Sequence, residues 1–304
     1  MRRRRGHVAA GLVGLLACAL LAGCESGQAG YTPKWYVSRA DAALPPYEAI
    51  REKYNERCQG LDKLRCPANL TIDSPGEKPG QRRTDHVEAN LQFVAPSRIA
   101  LRVDKVAQTL AYLGCDETRY WWLDLGNPAR ALVGEHARAT PSSAAKFGIP
   151  VHPLDLIDLL GVLPLPEKGA GAAWNAEGTR WVVTLPARGA GWGVRRIEID
   201  PATAEPTRVE VFDAKGRLAA RAELSEFVPV KVRGDVFSKA MMASRYKVEI
   251  PATDAKVSVS ISQPENPAER MRTAPFDLAK LLDSFGITDV REIDGESGRA
   301  GVVR

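Results

Sequence analysis

The sequence predicts a mainly β chain with a few short helices, and three observations point there. From Leu70 onward apolar and polar positions alternate. Val87, Ala89, Leu91 and Phe93 interleave with Glu88, Asn90 and Gln92, and Ile99, Leu101 and Val103 interleave with Ala100, Arg102 and Asp104. A period of two is the signature of half-buried antiparallel strands. Turn residues separate the runs, as at Pro96-Ser97 and at Asp213-Ala214-Lys215-Gly216, a hairpin turn in which Gly216 can take positive φ. Finally, one helical pattern occurs twice, as Pro153-Leu154-Asp155-Leu156-Ile157-Asp158-Leu159-Leu160 and as Pro275-Phe276-Asp277-Leu278-Ala279-Lys280-Leu281-Leu282. In both, the last two leucines lie three and four residues beyond the first, on one helix face.

The chain starts with a positive block, Arg2 to Arg5, followed by an apolar run from Val8 to Leu21. This is the layout of a secretory signal, and the run is too short for a comfortable membrane span, which takes about 20 apolar residues. Leu21-Ala22-Gly23-Cys24 resembles the lipobox of bacterial lipoproteins. The resemblance implies a signal peptide over residues 1–23, cleavage before Cys24, a thioether lipid on Cys24 and acylation of its new amino terminus. Glu25 stands where an Asp would resemble an inner-membrane retention signal, so the expected location is the outer membrane, facing the periplasm. Residues 24–46 then read as the lipidated cysteine and a flexible tether carrying Gly27, Gly30, Pro33, Pro45 and Pro46.

A helix is expected from Tyr47 to Leu64, with Ala49, Ile50, Tyr54 and Leu61 as a partial apolar stripe. Strands follow over 109–114, 119–125, 130–134, 179–186, 193–200, 207–212, 217–227, 245–250 and 256–262. Arg119-Tyr120-Trp121-Trp122 places aromatics on both faces of one strand, which suits a central strand covered on both sides. Residues 135–150 and 264–275 read as loops, and 161–171 as a mobile connection in which Leu163 and Leu165 either touch a membrane or fold onto the rim. Residues 47–293 are taken as a single domain and 294–304 as a disordered tail.

Removing residues 1–23, with four arginines and no acid, takes the formal charge from +5 to +1. The remaining chain has no basic footprint for nucleic acid. Of five cysteines, Cys58, Cys66 and Cys115 remain after Cys18 and Cys24 are set aside; Cys58 and Cys66 could bridge, or all three could be buried thiols. His86, His136 and His152 show no metal spacing, and no Gly-x-Ser-x-Gly elbow occurs. Asp155 and Asp158 read as the polar side of a helix. No catalytic residue, metal or cofactor is expected, and the chain is not expected to be an enzyme.

The layout of an N-terminal helix, many antiparallel strands, a leucine-rich helix, more strands and a second short helix resembles the outer-membrane lipoprotein carrier superfamily (LolA/LolB-like). Residues 119–123, 130–134 and the Pro153 helix look like its middle section. Asp200-Pro201, Pro206, the turn through Asp213 and Gly216, and Val257 to Ile261 look like its second half. The resemblance implies an α+β fold of the mainly β kind: a curved, incompletely closed antiparallel β-barrel with plug or lid helices and a cavity for acyl chains. The expected cavity wall is Leu91, Phe93, Ile99, Leu101, Trp181 and Val183. The expected lid residues are Leu156, Leu159, Leu160, Leu278, Leu281 and Leu282. The expected function is an anchored protein that binds an acyl chain, a lipid or a lipoprotein, in lipoprotein localisation. The alternatives are an envelope sensor or assembly module with a filled core, and a hydrolase in which a nucleophile converges on one of the histidines.

Overall fold

A computed structural model describes residues 43–76, 78–146, 152–188 and 193–294. The expected signal peptide, Cys24, most of the expected tether and residues 295–304 lie outside the described residues. The chain opens with α1 (Tyr47–Cys58) and runs through β1 (Lys63–Pro75), β2 (Arg82–Val94), β3 (Arg98–Lys105), β4 (Gln108–Cys115), β5 (Arg119–Asp124) and β6 (Arg130–Glu135). Two short helices, α2 (Pro141–Ala145) and α3 (Asp155–Asp158), lead to β7 (Gly171–Trp174), β8 (Trp181–Pro186), β9 (Val194–Ile199), β10 (Pro206–Phe212) and β11 (Leu218–Pro229). The chain continues through β12 (Lys231–Val232), β13 (Met241–Ile250), β14 (Ala255–Ile261), β15 (Glu265–Asn266), α4 (Leu278–Ser284) and β16 (Asp289–Glu292).

Along one path the strands run β16-β6-β5-β4-β3-β2-β1-β14-β13-β11-β10-β9-β8-β7, and the sheet does not close. Neighbours on that path pair antiparallel, except that edge strand β16 runs parallel to β6. Cys115 and Tyr120, on β4 and β5, share one hydrophobic core with Trp181 on β8. Nine strand spacings separate β4 from β8, about 40 Å in a flat sheet. A single core can include both only because the sheet curls around α1, which supplies Ile50 and Tyr54 to the middle of it.

Helix α1 is shorter than its apolar stripe suggests. Gly60 takes φ +87°, and a Cβ there would sit 2.9 Å from Val232 Cγ2, so the chain turns before Leu61 and is already a strand at Lys63. Ile50 and Tyr54 are buried while Ala49 is exposed. Strand β7 starts at the last residue of the expected connection and occupies a stretch in which no strand was expected, and residues 241–244 extend β13 upstream of its expected start. Asp294, the first residue of the expected tail, accepts hydrogen bonds from the Tyr120 hydroxyl at 2.7 Å and from the Glu135 amide.

The two faces of the sheet carry separate cores. On β5, Tyr120 and Trp122 belong with α1 on the concave side, while Trp121 and Leu123 belong with Phe276, Leu278, Leu281 and Ile287 on the outer side. Tyr112 fastens that outer layer by donating to the Pro275 carbonyl at 2.9 Å. The aromatic pair on β5 is therefore covered on both faces. Among the described residues no helix is long and apolar enough to cross a membrane.

Candidate functional site

The concave face is the candidate site, and the protein's own chain lies over it. The segment from His152 to Pro166, including α3, forms a cover whose Ile157, Leu159, Val162, Leu163 and Leu165 are buried in the same core as α1 and the sheet. Leu163 and Leu165 therefore fold inward rather than standing free.

Two sets of polar bonds hold the cover. The first comes from α1. Ile50, Tyr54 and Arg57 are spaced four and three residues apart, so Arg57 follows the apolar stripe into the interior. Its guanidinium donates to the Gly161 carbonyl at 2.6 Å and to the Met241 carbonyl on β13 at 2.8 Å, and it stacks 4.7 Å from the Tyr54 ring. The Tyr54 hydroxyl donates to the same Gly161 carbonyl at 3.1 Å, and burial pushes its pKa up. Asn55 and Leu165 exchange two hydrogen bonds, at 3.0 and 2.7 Å, and the Tyr47 hydroxyl donates to the Pro166 carbonyl at 2.5 Å. From the sheet, the Tyr246 hydroxyl donates to the Leu160 carbonyl at 3.3 Å. Apart from the bond to Met241, these contacts end on main-chain atoms of the cover, so they specify its path and not its side chains.

The second set is ionic. Asp158 accepts from Arg195 at 2.5 Å and from Arg188 at 3.3 Å, and Asp155 lies 3.5 Å from Arg195. Asp155 is fully buried, and its Oδ2 has no hydrogen-bond partner. Its pKa is pushed up to about 6, because burial outweighs the attraction of Arg195. Two further buried atoms of the same core, Arg57 Nε and Trp181 Nε1, also lack hydrogen-bond partners among the described residues. A buried polar atom left without a partner costs about 1–3 kcal/mol. The closed cover thus carries local costs beside its apolar gain.

Two histidines meet where the cover begins. His136 and His152 lie with ring centroids 5.8 Å apart, and burial lowers the pKa of both. Cys58, Cys66 and Cys115 are free and buried, and burial pushes Cys66 and Cys115 up to about 12. That is the thiol alternative and not a Cys58–Cys66 bridge. No cluster of metal-ligand type is found among the described residues.

No protein-family model matches this chain, and no curated protein does. Solved structures do. A candidate outer membrane lipoprotein-sorting protein domain from Vibrio parahaemolyticus aligns with a TM-score of 0.50 at 12% identity, covering 76% of this chain and 97% of its own. A DUF1329 family protein from Desulfovibrio piger aligns with a TM-score of 0.50 at 12% identity, covering 78% and 100%. The chain has a LolA-like fold. A LolA superfamily protein from Nitrosomonas europaea is also similar, at 9% identity and a TM-score of 0.47 over 77% of this chain and 98% of its own.

Within this LolA-like fold, the expected cavity residues lie on the concave side. Leu91, Phe93, Trp181 and Val183 are buried there, and Ile99 and Leu101 are half-buried against the same core. Leu159 is buried in the cover, with Leu156 and Leu160 half-buried beside it. Leu278, Leu281 and Leu282 are elsewhere, packed with Trp121 and Leu123 on the outer face. The two leucine-rich motifs are not two halves of one lid. They also use their aspartates differently: Asp277 caps its own helix by accepting from the Lys280 amide at 3.1 Å, whereas Asp155 is committed to the ionic cluster. Arg57, Asn55 and Gly161 were not singled out in the sequence. The place of Arg57 on the stripe of Ile50 and Tyr54 was the signal that could have found it.

Proposed function

We propose that this protein is a lipid-anchored protein of the bacterial envelope that binds the acyl chain of a lipid or lipoprotein on its concave face when the cover opens. The observation that carries this reading is the cover's attachment: an apolar sheet face lies under a segment held by carbonyl-directed hydrogen bonds and one ion cluster. Displacing the cover would expose Phe93, Trp181 and Val183 to a ligand. A 16-carbon chain brings on the order of 10 kcal/mol of burial, at about 0.8 kcal/mol per methylene. That is enough to offset several hydrogen bonds worth about 0.5–1.5 kcal/mol each, or somewhat more for those from Arg57. The ligand would select an open form the protein already visits. Anchoring through Cys24 would make it a stationary acceptor rather than a shuttle, placed at the outer membrane, and we assign it no catalytic step.

A second reading has its own support. The concave face is filled, with Tyr54, Phe93, Ile157 and Val183 all fully buried, as expected for an envelope interaction module with a fixed core. Titration with a fluorescent fatty acid separates the two. Saturable uptake, reversed by palmitate and accelerated in Arg57→Leu, is the expected result. No uptake by either protein, together with no co-purified lipid in native mass spectrometry, would favour the interaction module.

A further inference from the structure

Among the described residues, two of the three large apolar side chains that stand most exposed are neighbours, Val236 at 90% and Phe237 at 88%. They are not on a loose loop. On the two sides of it, the Val230 amide donates to the Ala240 carbonyl at 2.9 Å and the Arg233 amide to the Asn266 carbonyl at 3.0 Å. Inside it, the Asp235 amide donates to the Val232 carbonyl, Asp235 accepts from the Phe237 amide at 3.0 Å, and Ser238 from the Ala240 amide at 3.2 Å. The Asn266 side chain ties this corner to Gly60 and Asp62. The fold holds two apolar side chains out in water on a braced turn.

Beside them is a depression of about 920 Å³ lined by Arg65, Lys231, Arg233, Arg270 and Arg272 against only two carboxylates, Asp235 and Glu265. Glu265 is taken by Arg65, and Asp235 serves the turn. Lys231, Arg233, Arg270 and Arg272 make no ion pair with any described residue, so four cations face outward around the apolar tip. Apolar tips set among basic side chains are the make-up of a surface that lies in the headgroup layer of an anionic bilayer. Chain length permits the contact. Residues 25–42 separate Cys24 from the described chain, and about 3.3 Å per residue lets them span far more than the roughly 18 Å length of α1.

We propose that the turn 233–239 and the basic depression beside it form a membrane-docking surface that inserts Val236 and Phe237 into a bilayer rich in anionic phospholipid. The docked surface would fix the orientation of the sheet toward the membrane, beyond the tethering that an acyl anchor supplies. The rest of the chain offers a clean probe. Cys58, Cys66 and Cys115 are buried, so a full-length Val236→Cys chain that also carries Cys18→Ser and Cys24→Ser presents its new thiol to an environment-sensitive fluorophore. On vesicles containing about one-third phosphatidylglycerol, the label should shift to the blue and be quenched by doxyl-bearing lipids. Arg233→Gln or Arg272→Gln should each lower the inserted-to-exposed ratio about five-fold. A label that stays water-exposed on anionic vesicles overturns the proposal, as does equal insertion into pure phosphatidylcholine. Shielding in detergent micelles that grows with protein concentration would mean that a second copy occupies the surface, and would also overturn it.

Discussion

Arg57 donates to the main-chain carbonyl of Gly161 at 2.6 Å inside an otherwise apolar interior, and it makes no ion pair with any described carboxylate. A buried guanidinium solvated by carbonyls, the Cys58 sulfur and two aromatic rings, with no carboxylate, is an expensive arrangement. It is tolerated where the bonds made are charge-assisted and well placed. Here one side chain joins α1, the cover and β13, so breaking it frees three elements at once.

Arg57→Leu should therefore loosen the cover more than it destabilises the fold. Two charge-assisted hydrogen bonds of about 1.5–3 kcal/mol each are lost, but so is the cost of burying the charge. The expected net change is within about 2 kcal/mol in a urea titration, while amide exchange over residues 159–165 speeds up at least ten-fold. Arg57→Lys should fall between.

Gly161→Ala should break the same attachment from the other side. Gly161 has φ +64°, and a Cβ there would lie 2.8 Å from Leu224 Cδ2 and from Pro206 Cγ. Left-handed backbone alone costs a residue with a Cβ about 1–2 kcal/mol, before any clash. A loss of more than about 2 kcal/mol in the unfolding free energy is expected, together with faster exchange of the cover.

How much of this was legible follows element by element. The strands were, because Val87 to Phe93 can bury one side only by alternating. The Trp121/Trp122 pair even announced cover on both faces. Which helix covers which face was not. Both leucine motifs describe an apolar helix face, and nothing local to Leu281 or Leu159 says on which side of the sheet it lands. Arg57 read as one more charged residue on a charged helix, although its spacing from Tyr54 placed it inward. Gly171-Ala172-Ala173-Trp174 has too little alternation to separate edge strand β7 from a linker, and parallel β16 has no pattern of its own.

The ionic cluster predicts a pH dependence. The pKa of Asp155 rises from about 3.8 in the unfolded chain to about 6 in the fold. A raised carboxylate favours folding most below pH 3.8, and that contribution is lost as pH rises through about 6. Asp155→Asn removes the titration while Asp158, Arg188 and Arg195 remain. Relative to wild type, the variant should gain stability between pH 4.5 and 7.5, by up to about 3 kcal/mol. Thermal unfolding across that range checks it; a constant difference would mean that Asp155 is ionised throughout.

Leu159→Ala and Leu281→Ala should separate the two faces. Each truncates a buried leucine, with an expected cost of about 2–5 kcal/mol. Only the first should change fatty-acid uptake, because Leu281 packs on Trp121 and Leu123 across the sheet from the cover. Equal effects on uptake would mean that the outer layer also moves.

The central claim is that an acyl chain lies between the curled sheet and its displaced cover. Photo-crosslinking with a diazirine-bearing palmitate, followed by peptide mapping, tests it most directly. The account predicts adducts on Leu91, Phe93, Trp181 or Val183, abolished by excess palmitate and increased in Arg57→Leu. Adducts confined to the outer layer around Leu278 and Leu281, or none that palmitate competes away, would contradict it.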